Sequence, residues 1–231
     1  MPLSVNRGKK LEIVINNISF YRYPIKTPLI TPGHKLTSLI KKYVKPHLQN
    51  GDIVVISERI VAIIQGRSYL IDDIQPSFWA RHLYKFVSKH PGGIGLRSPW
   101  TMELAIREAG LIRIFLAAIV SLITRPLRIR GLFYIIAGHN VNAIDGPCDY
   151  SLPPSDKSAK LGPKNPQKVV RQLANLFKTG FVIIDANDYG VRVMAVSSGI
   201  DKKLIAQIFV DNPMGQSREQ TPIIIVRRMN N

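Results

Sequence analysis

The sequence predicts an α+β fold in which mixed sheets are flanked by helices. Strand-like and helical runs alternate along all 231 residues, with no internal repeat and no low-complexity linker. Two apolar runs, 181–184 and 191–196, are separated only by Ala186 to Gly190, which reads as a hairpin and favours mixed or antiparallel pairing. The length allows one large domain or two small ones; a single domain over 1–231 is expected, with a possible subdivision near 100–130, where an apolar stretch meets a basic cluster.

Leu11 to Ile15 reads as the first strand. Thr31-Pro32-Gly33 then punctuates the entry to a helix over Leu36 to His47, whose apolar positions Leu36, Leu39, Ile40, Tyr43 and Val44 share one face. Asp52 to Ile56 is a second strand. Pro99 to Ala109 is expected as a helix because Ser98 can cap it and Pro99 stands at its first position. Leu111 to Thr124 continues as an apolar helix, and the run 132–137 reads as a strand. Helical spacing returns over Asn165 to Lys178 and Asp201 to Val210, and a last strand is expected at 222–227.

Composition excludes several classes. A lone cysteine, Cys148, rules out an internal disulfide framework and a cysteine zinc cluster. The stretch 111–124 contains Arg113 and falls short of the about 18 apolar residues a membrane span needs, so a buried or interfacial helix is expected. No charged leader with a cleavage signal opens the sequence, and a cytoplasmic protein is expected. The 32 Lys and Arg against 15 Asp and Glu call for an anionic partner or a strongly solvated surface. These charges are dispersed, with no RNP-like or zinc-finger motif, which argues against a dedicated nucleic-acid arm. The densest cluster, TRPLRIRG at 124–131, follows the apolar helix and is expected to be a solvated face, with a basic helix end that touches a membrane or phosphates as the alternative.

Two aspartates stand out. Asp185 ends the run Phe181 to Ile184, and Asp145 follows the apolar run 132–136 through Asn140-Val141-Asn142-Ala143-Ile144. A carboxylate at a strand end suits a hard cation or a phosphate held through one, although an Asx turn explains either residue alone. The Pro/Gly loop Thr27 to Gly33 precedes a helix start, where backbone N–H groups can meet phosphate. His90 to Gly95 is glycine-rich but lacks both dinucleotide and Walker spacing. Asp211 to Pro222 crowds carboxylates and amides into one loop, which is unusual for a plain connector.

The ordered blocks TPLITPG, NGDIVVISERIVAIIQGR, SPWTMELAIREAG, NVNAIDG, VIIDANDYG and NPMGQSREQTPIIIVRR resemble the coenzyme F420-0:L-glutamate ligases, the gamma-glutamyl ligase family, from about Leu11 to Arg228. The resemblance implies the family's mixed α+β fold, a homodimer, and ligation driven by GTP or ATP with Mg2+ or Mn2+. The chemistry it implies is phosphorylation of a substrate carboxylate, followed by displacement of phosphate from the acyl phosphate by the amine of glutamate. Position by position, Pro28, Leu29, Ile30 and Thr31 match a nucleotide-contacting loop. Asn142 lies in the same patch as Asp145, which matches a metal aspartate, and Asp185 matches a second. Met214, Gly215 and Ser217 match the segment that covers the nucleotide, and Gln216 falls at its metal ligand.

The chain departs from the family pattern at Ile63, where a lysine is usual, and at Gln65 and Gln216, where glutamates are usual. Neutral amides bind a hard cation less strongly than carboxylates do. Three readings follow: an amide ligase of unknown acid substrate, a non-catalytic relative that binds a nucleotide or other anion, and a basic nucleic-acid binder.

Overall fold

The computed structural model describes residues 4–87, 95–124, 126, 129, 131–138, 140–149, 151–188, 190–215 and 218–229. In chain order the elements are β1 Glu12–Ile15, β2 Ile18–Ile25, α1 Leu36–Leu39, β3 Ile53–Ser57, α2 Glu58–Ile64, β4 Ser68–Leu70, α3 Phe78–Leu83, α4 Pro99–Ala109, α5 Leu111–Thr124, α6 Leu132–Ala137, β5 Ser158–Lys160, α7 Pro166–Phe177, β6 Gly180–Asn187, β7 Gly190–Val196, α8 Lys202–Ile208 and β8 Ile223–Arg228. They divide into two compact units, one formed by 1–65 with 163–231 and the other by 66–162. These boundaries fall at Gly66 and Gly162.

The first unit is built on a six-stranded sheet in the order β1-β2-β8-β3-β6-β7. Only β3 and β6 run parallel, so the sheet is mixed, as the α+β expectation requires. Alternation sorts its side chains to two faces. Val54, Ile56, Phe181, Ile183, Ile223 and Ile225 pack with α2, α7 and the α1 run, whereas Val55, Val182, Ile184 and Ile224 pack with α8 and Phe209. Because β3 and β8 are covered on both faces, their cores Val54–Ile56 and Ile223–Val226 read as continuous apolar runs. The expected helix over 36–47 forms one run of changing pitch: α1 widens to a π-type turn over Ile40–Val44 and tightens to a 3-10 turn over Lys45–His47. Pro46 has no N–H to continue the regular ladder there.

The second unit pairs β4 with β5 and packs α3 to α6 around Leu96, Met102, Leu104, Ile114 and Ala137. Ser98 caps α4 as expected, its hydroxyl accepting the Thr101 N–H at 3.1 Å while the Thr101 hydroxyl accepts the Ser98 N–H at 3.3 Å. The run 132–137, expected as a strand, is the helix α6. Six apolar residues carry no period that separates strand from helix. Here Gly131 at φ +87° opens the helix and Gly138 at φ +105° closes it. Among the described residues no helix is long and apolar enough to cross a membrane.

Candidate functional site

In the first unit the two segments expected to hold a nucleotide come together. The Thr27 N–H donates to the Gln220 carbonyl at 2.9 Å, which clasps the start of the Pro28–Thr31 loop to the end of the polar loop. Ile30 is buried and anchors its loop, while Pro28, Leu29 and Thr31 are exposed. The Thr31 N–H and hydroxyl both meet His34 Nδ1, at 3.1 and 2.9 Å, so this loop is closed by its own histidine. Thr27 itself is buried, and its hydroxyl has no hydrogen-bond partner among the described residues. An orphaned hydroxyl at the base of such a loop is a group a ligand or water can satisfy.

The polar loop is tied down at several points. Asp211 receives the guanidinium of Arg22, which also donates to the carbonyls of Ile208 at 2.9 Å and Lys10 at 2.7 Å. Arg22 is 1% exposed, on the same inward face of β2 as Phe20. Lys9 Nζ donates to the Asp211 carbonyl at 2.7 Å and lies 3.4 Å from Asp188 Oδ1. Asn212 is fully buried in a left-handed conformation, φ +47°, and donates to the Gly215 carbonyl at 3.3 Å. The Thr221 hydroxyl donates to the Met214 carbonyl at 2.8 Å and accepts from Asn6 Nδ2 at 2.7 Å, closing the loop. Met214 is buried, and Gly215 has φ +77°. Gln216 and Ser217, expected to bind metal and nucleotide, lie outside the described residues.

Asp185 belongs to this unit but does not end a strand: β6 continues to Asn187, and Asp185 stands directly opposite Arg192 of β7. The apolar run marks only the buried half of β6, and the hairpin ladder extends beyond it. Asp145 belongs to the second unit and follows a 3-10 turn, Val141–Ala143, that includes the exposed Asn142. Its backbone exchanges two hydrogen bonds with Lys160, of 3.1 and 2.9 Å. Lys160 Nζ stands 3.1 Å from Asp145 Oδ2 and donates to the Ala143 carbonyl at 3.3 Å. Each aspartate therefore faces a basic side chain of its own unit.

Among the described residues no three or more His, Cys, Asp or Glu side chains gather into a metal cage. A Mg2+ or Mn2+ ion carried by a nucleotide needs only one or two protein carboxylates and takes its other oxygens from phosphate and water. Asp145 in the second unit and Asp185 in the first each carry hard oxygen donors of that kind.

The departures at Ile63 and Gln65 have structural uses. Ile63 is buried in the first unit's core. Gln65 clamps the backbone of Lys164, accepting its N–H at 2.7 Å and donating to its carbonyl at 3.0 Å. Thr27 opens the Pro/Gly loop expected to meet phosphate, whereas Arg22, Lys9 and Lys160 carry no site signal of their own in the sequence. The alternation in ISFYRYPI, which puts Arg22 in phase with Phe20, was the one available signal.

The family model described as F420-0:gamma-glutamyl ligase matches residues 24–203. The chain belongs to that family. A ligase-type, gamma-glutamyl function follows from membership, and the match includes the 28–31 loop, Asp145 and Asp185, ending before the polar loop. No curated protein matched the chain.

Proposed function

We propose that the protein is a nucleotide- and metal-dependent amide ligase acting on a small carboxylic acid through an acyl phosphate. The family match over 24–203 is the observation that carries the reading. The Thr27–Gln220 clasp supports it, because it joins the 28–31 loop to the loop that would cover the nucleotide. In this reading Pro28 to Thr31 and Met214, Gly215 and Ser217 of the first unit bind GTP or ATP, Asp185 serves the phosphate and cation end with Gln216 as a further oxygen donor, and Asn142 and Asp145 of the second unit are proposed separately as phosphate and cation contacts. Mg2+ or Mn2+ supplies charge neutralisation at the transferring phosphoryl group.

The substrate carboxylate attacks the terminal phosphorus and the nucleoside diphosphate leaves. The amine then attacks the acyl carbon, loses a proton and expels phosphate. Pre-formed loops serve such a reaction because phosphoryl transfer depends chiefly on positioning and electrostatic stabilisation. The active form is a homodimer in the cytoplasm, and light scattering on the purified protein is expected to give twice the chain mass.

Calorimetry tests the site. GTP or ATP is expected to bind only with Mg2+ or Mn2+, and Asp145→Asn or Asp185→Asn is expected to abolish binding. Wild-type affinity in both variants would refute the assignment. Turnover is read separately, as phosphate release and hydroxamate formation with candidate acids. Binding without either product identifies a non-catalytic relative.

A further inference from the structure

The helix α5 buries Ile114 and Ala117 in its own unit and leaves a second apolar face uncovered. Ile112, Leu116, Ile119, Leu122 and Ile123 are each at least 52% exposed, and their spacing sets them along one side of the helix. The patch continues onto α3. Trp79 meets Phe115 edge-on with ring centroids 4.9 Å apart, and Phe78 packs against Trp79 at 5.3 Å, with 64% of Phe78 exposed. Large contiguous apolar surfaces of this kind mark sites of association.

Charge selects the occupant. Between Glu108 and Asp145 the sequence carries four arginines and no acidic residue, of which Arg113 is described and Arg125, Arg128 and Arg130 lie outside the described residues. Arg113 is exposed on α5, and Arg81 and Lys85 are exposed beside the α3 aromatics. A second copy related by a two-fold axis would bring like-charged groups together around the patch. An anionic lipid surface neutralises them, while aliphatic and aromatic side chains enter the acyl boundary. At 14 residues the helix is too short to span a bilayer, but lying in its interface needs no span.

We propose that the α5 face, flanked by Phe78 and Trp79, seats the protein on an anionic membrane surface. This association is independent of the ligase reading and is read without nucleotide. The full chain is mixed with vesicles of phosphatidylcholine alone or of phosphatidylcholine and phosphatidylglycerol in equal parts, then sedimented. Binding is expected to the anionic vesicles only. Replacing Arg81 and Lys85 together with Gln is expected to weaken it on the order of 30-fold at low salt. The double variant Leu116→Glu, Ile123→Glu should weaken it by about tenfold or more, because it places charge on the inserted face.

Unchanged circular dichroism establishes that the variants are folded. If the double variant does not fold, Trp79 fluorescence in a Trp100→Phe background replaces it, and a blue shift on adding anionic vesicles is expected. Failure of the full chain to sediment with anionic vesicles, equal binding to both compositions, unchanged binding in the folded double variant, or no Trp79 shift overturns the proposal. So does an oligomer that Leu116→Glu converts to monomers, which would identify the face as a contact between copies.

Discussion

At the scale of single residues, the candidate site depends on side chains that look ordinary in sequence. Arg22 sits in a strand-like run, yet its burial and its grip on Asp211 and two carbonyls make it an anchor of the polar loop. Local pattern can place Arg22 on the inward face of β2, but its partner is 189 residues away. Gly215 is a different case, because its backbone conformation can be tested directly. At φ +77°, an added Cβ would lie 2.5 Å from the Glu219 side chain. Gly215→Ala is therefore expected to cost about 1–2 kcal/mol in denaturant unfolding through left-handed strain. The same variant should weaken Mg2+-dependent nucleotide binding if this loop covers the nucleotide. Unaltered affinity measured by calorimetry in the folded variant would separate the loop from the ligand.

Among elements, legibility followed the strength of the local signal. Pro99 to Ala109 was readable to its ends because Ser98, Thr101 and Pro99 specify the first turn chemically. The run 132–137 was not, since apolarity without a period leaves helix and strand equivalent until packing decides. β2 was missed because Pro24 breaks the strand signature. Arg22 N–H points toward β1, so Pro24, two residues on, has its donor-less side where β1 has already ended.

One link between elements is pH-sensitive. Glu103 of α4 accepts the Ser77 N–H at the start of α3 at 2.9 Å and pairs with Arg107 at 3.0 Å. Burial alone would raise its pKa, but the Ser77 hydrogen bonds and the Arg107 charge together hold it below the ordinary value of 4.5. The unfolded chain thus takes up this proton before the folded one does as pH falls. The stabilisation is complete above pH 4.5 and is lost as pH drops through the folded-state pKa. Glu103→Gln should lower stability at neutral pH and flatten its acid dependence below 4.5, as followed by chemical denaturation at stepped pH. An unchanged acid slope would remove Glu103 from the account.

For the whole molecule, the formal net charge of +17 dominates long-range behaviour. Self-repulsion of that size opposes compaction, so the thermal midpoint is expected to rise as NaCl increases from about 0.1 to 1 M, where the screening length falls from about 10 to 3 Å. A falling midpoint would show that paired charges such as Asp52 and Arg227 outweigh the excess; that bidentate pair, at 2.7 and 2.8 Å, has its carboxylate fully buried. By itself, the sequence determined the α+β class, the capped and periodic helices, the β6–β7 hairpin and the family, because each is written in local pattern or in blocks of ordered residues. Only the tertiary structure decided that 1–65 and 163–231 form one unit, that Thr27 meets Gln220, and that Asp185 and Asp145 belong to different units. Local pattern fixes whether a segment forms a strand. The strand's neighbours are set by burying both faces of β3 and β8 and satisfying their backbone groups, which draws on residues more than a hundred positions apart.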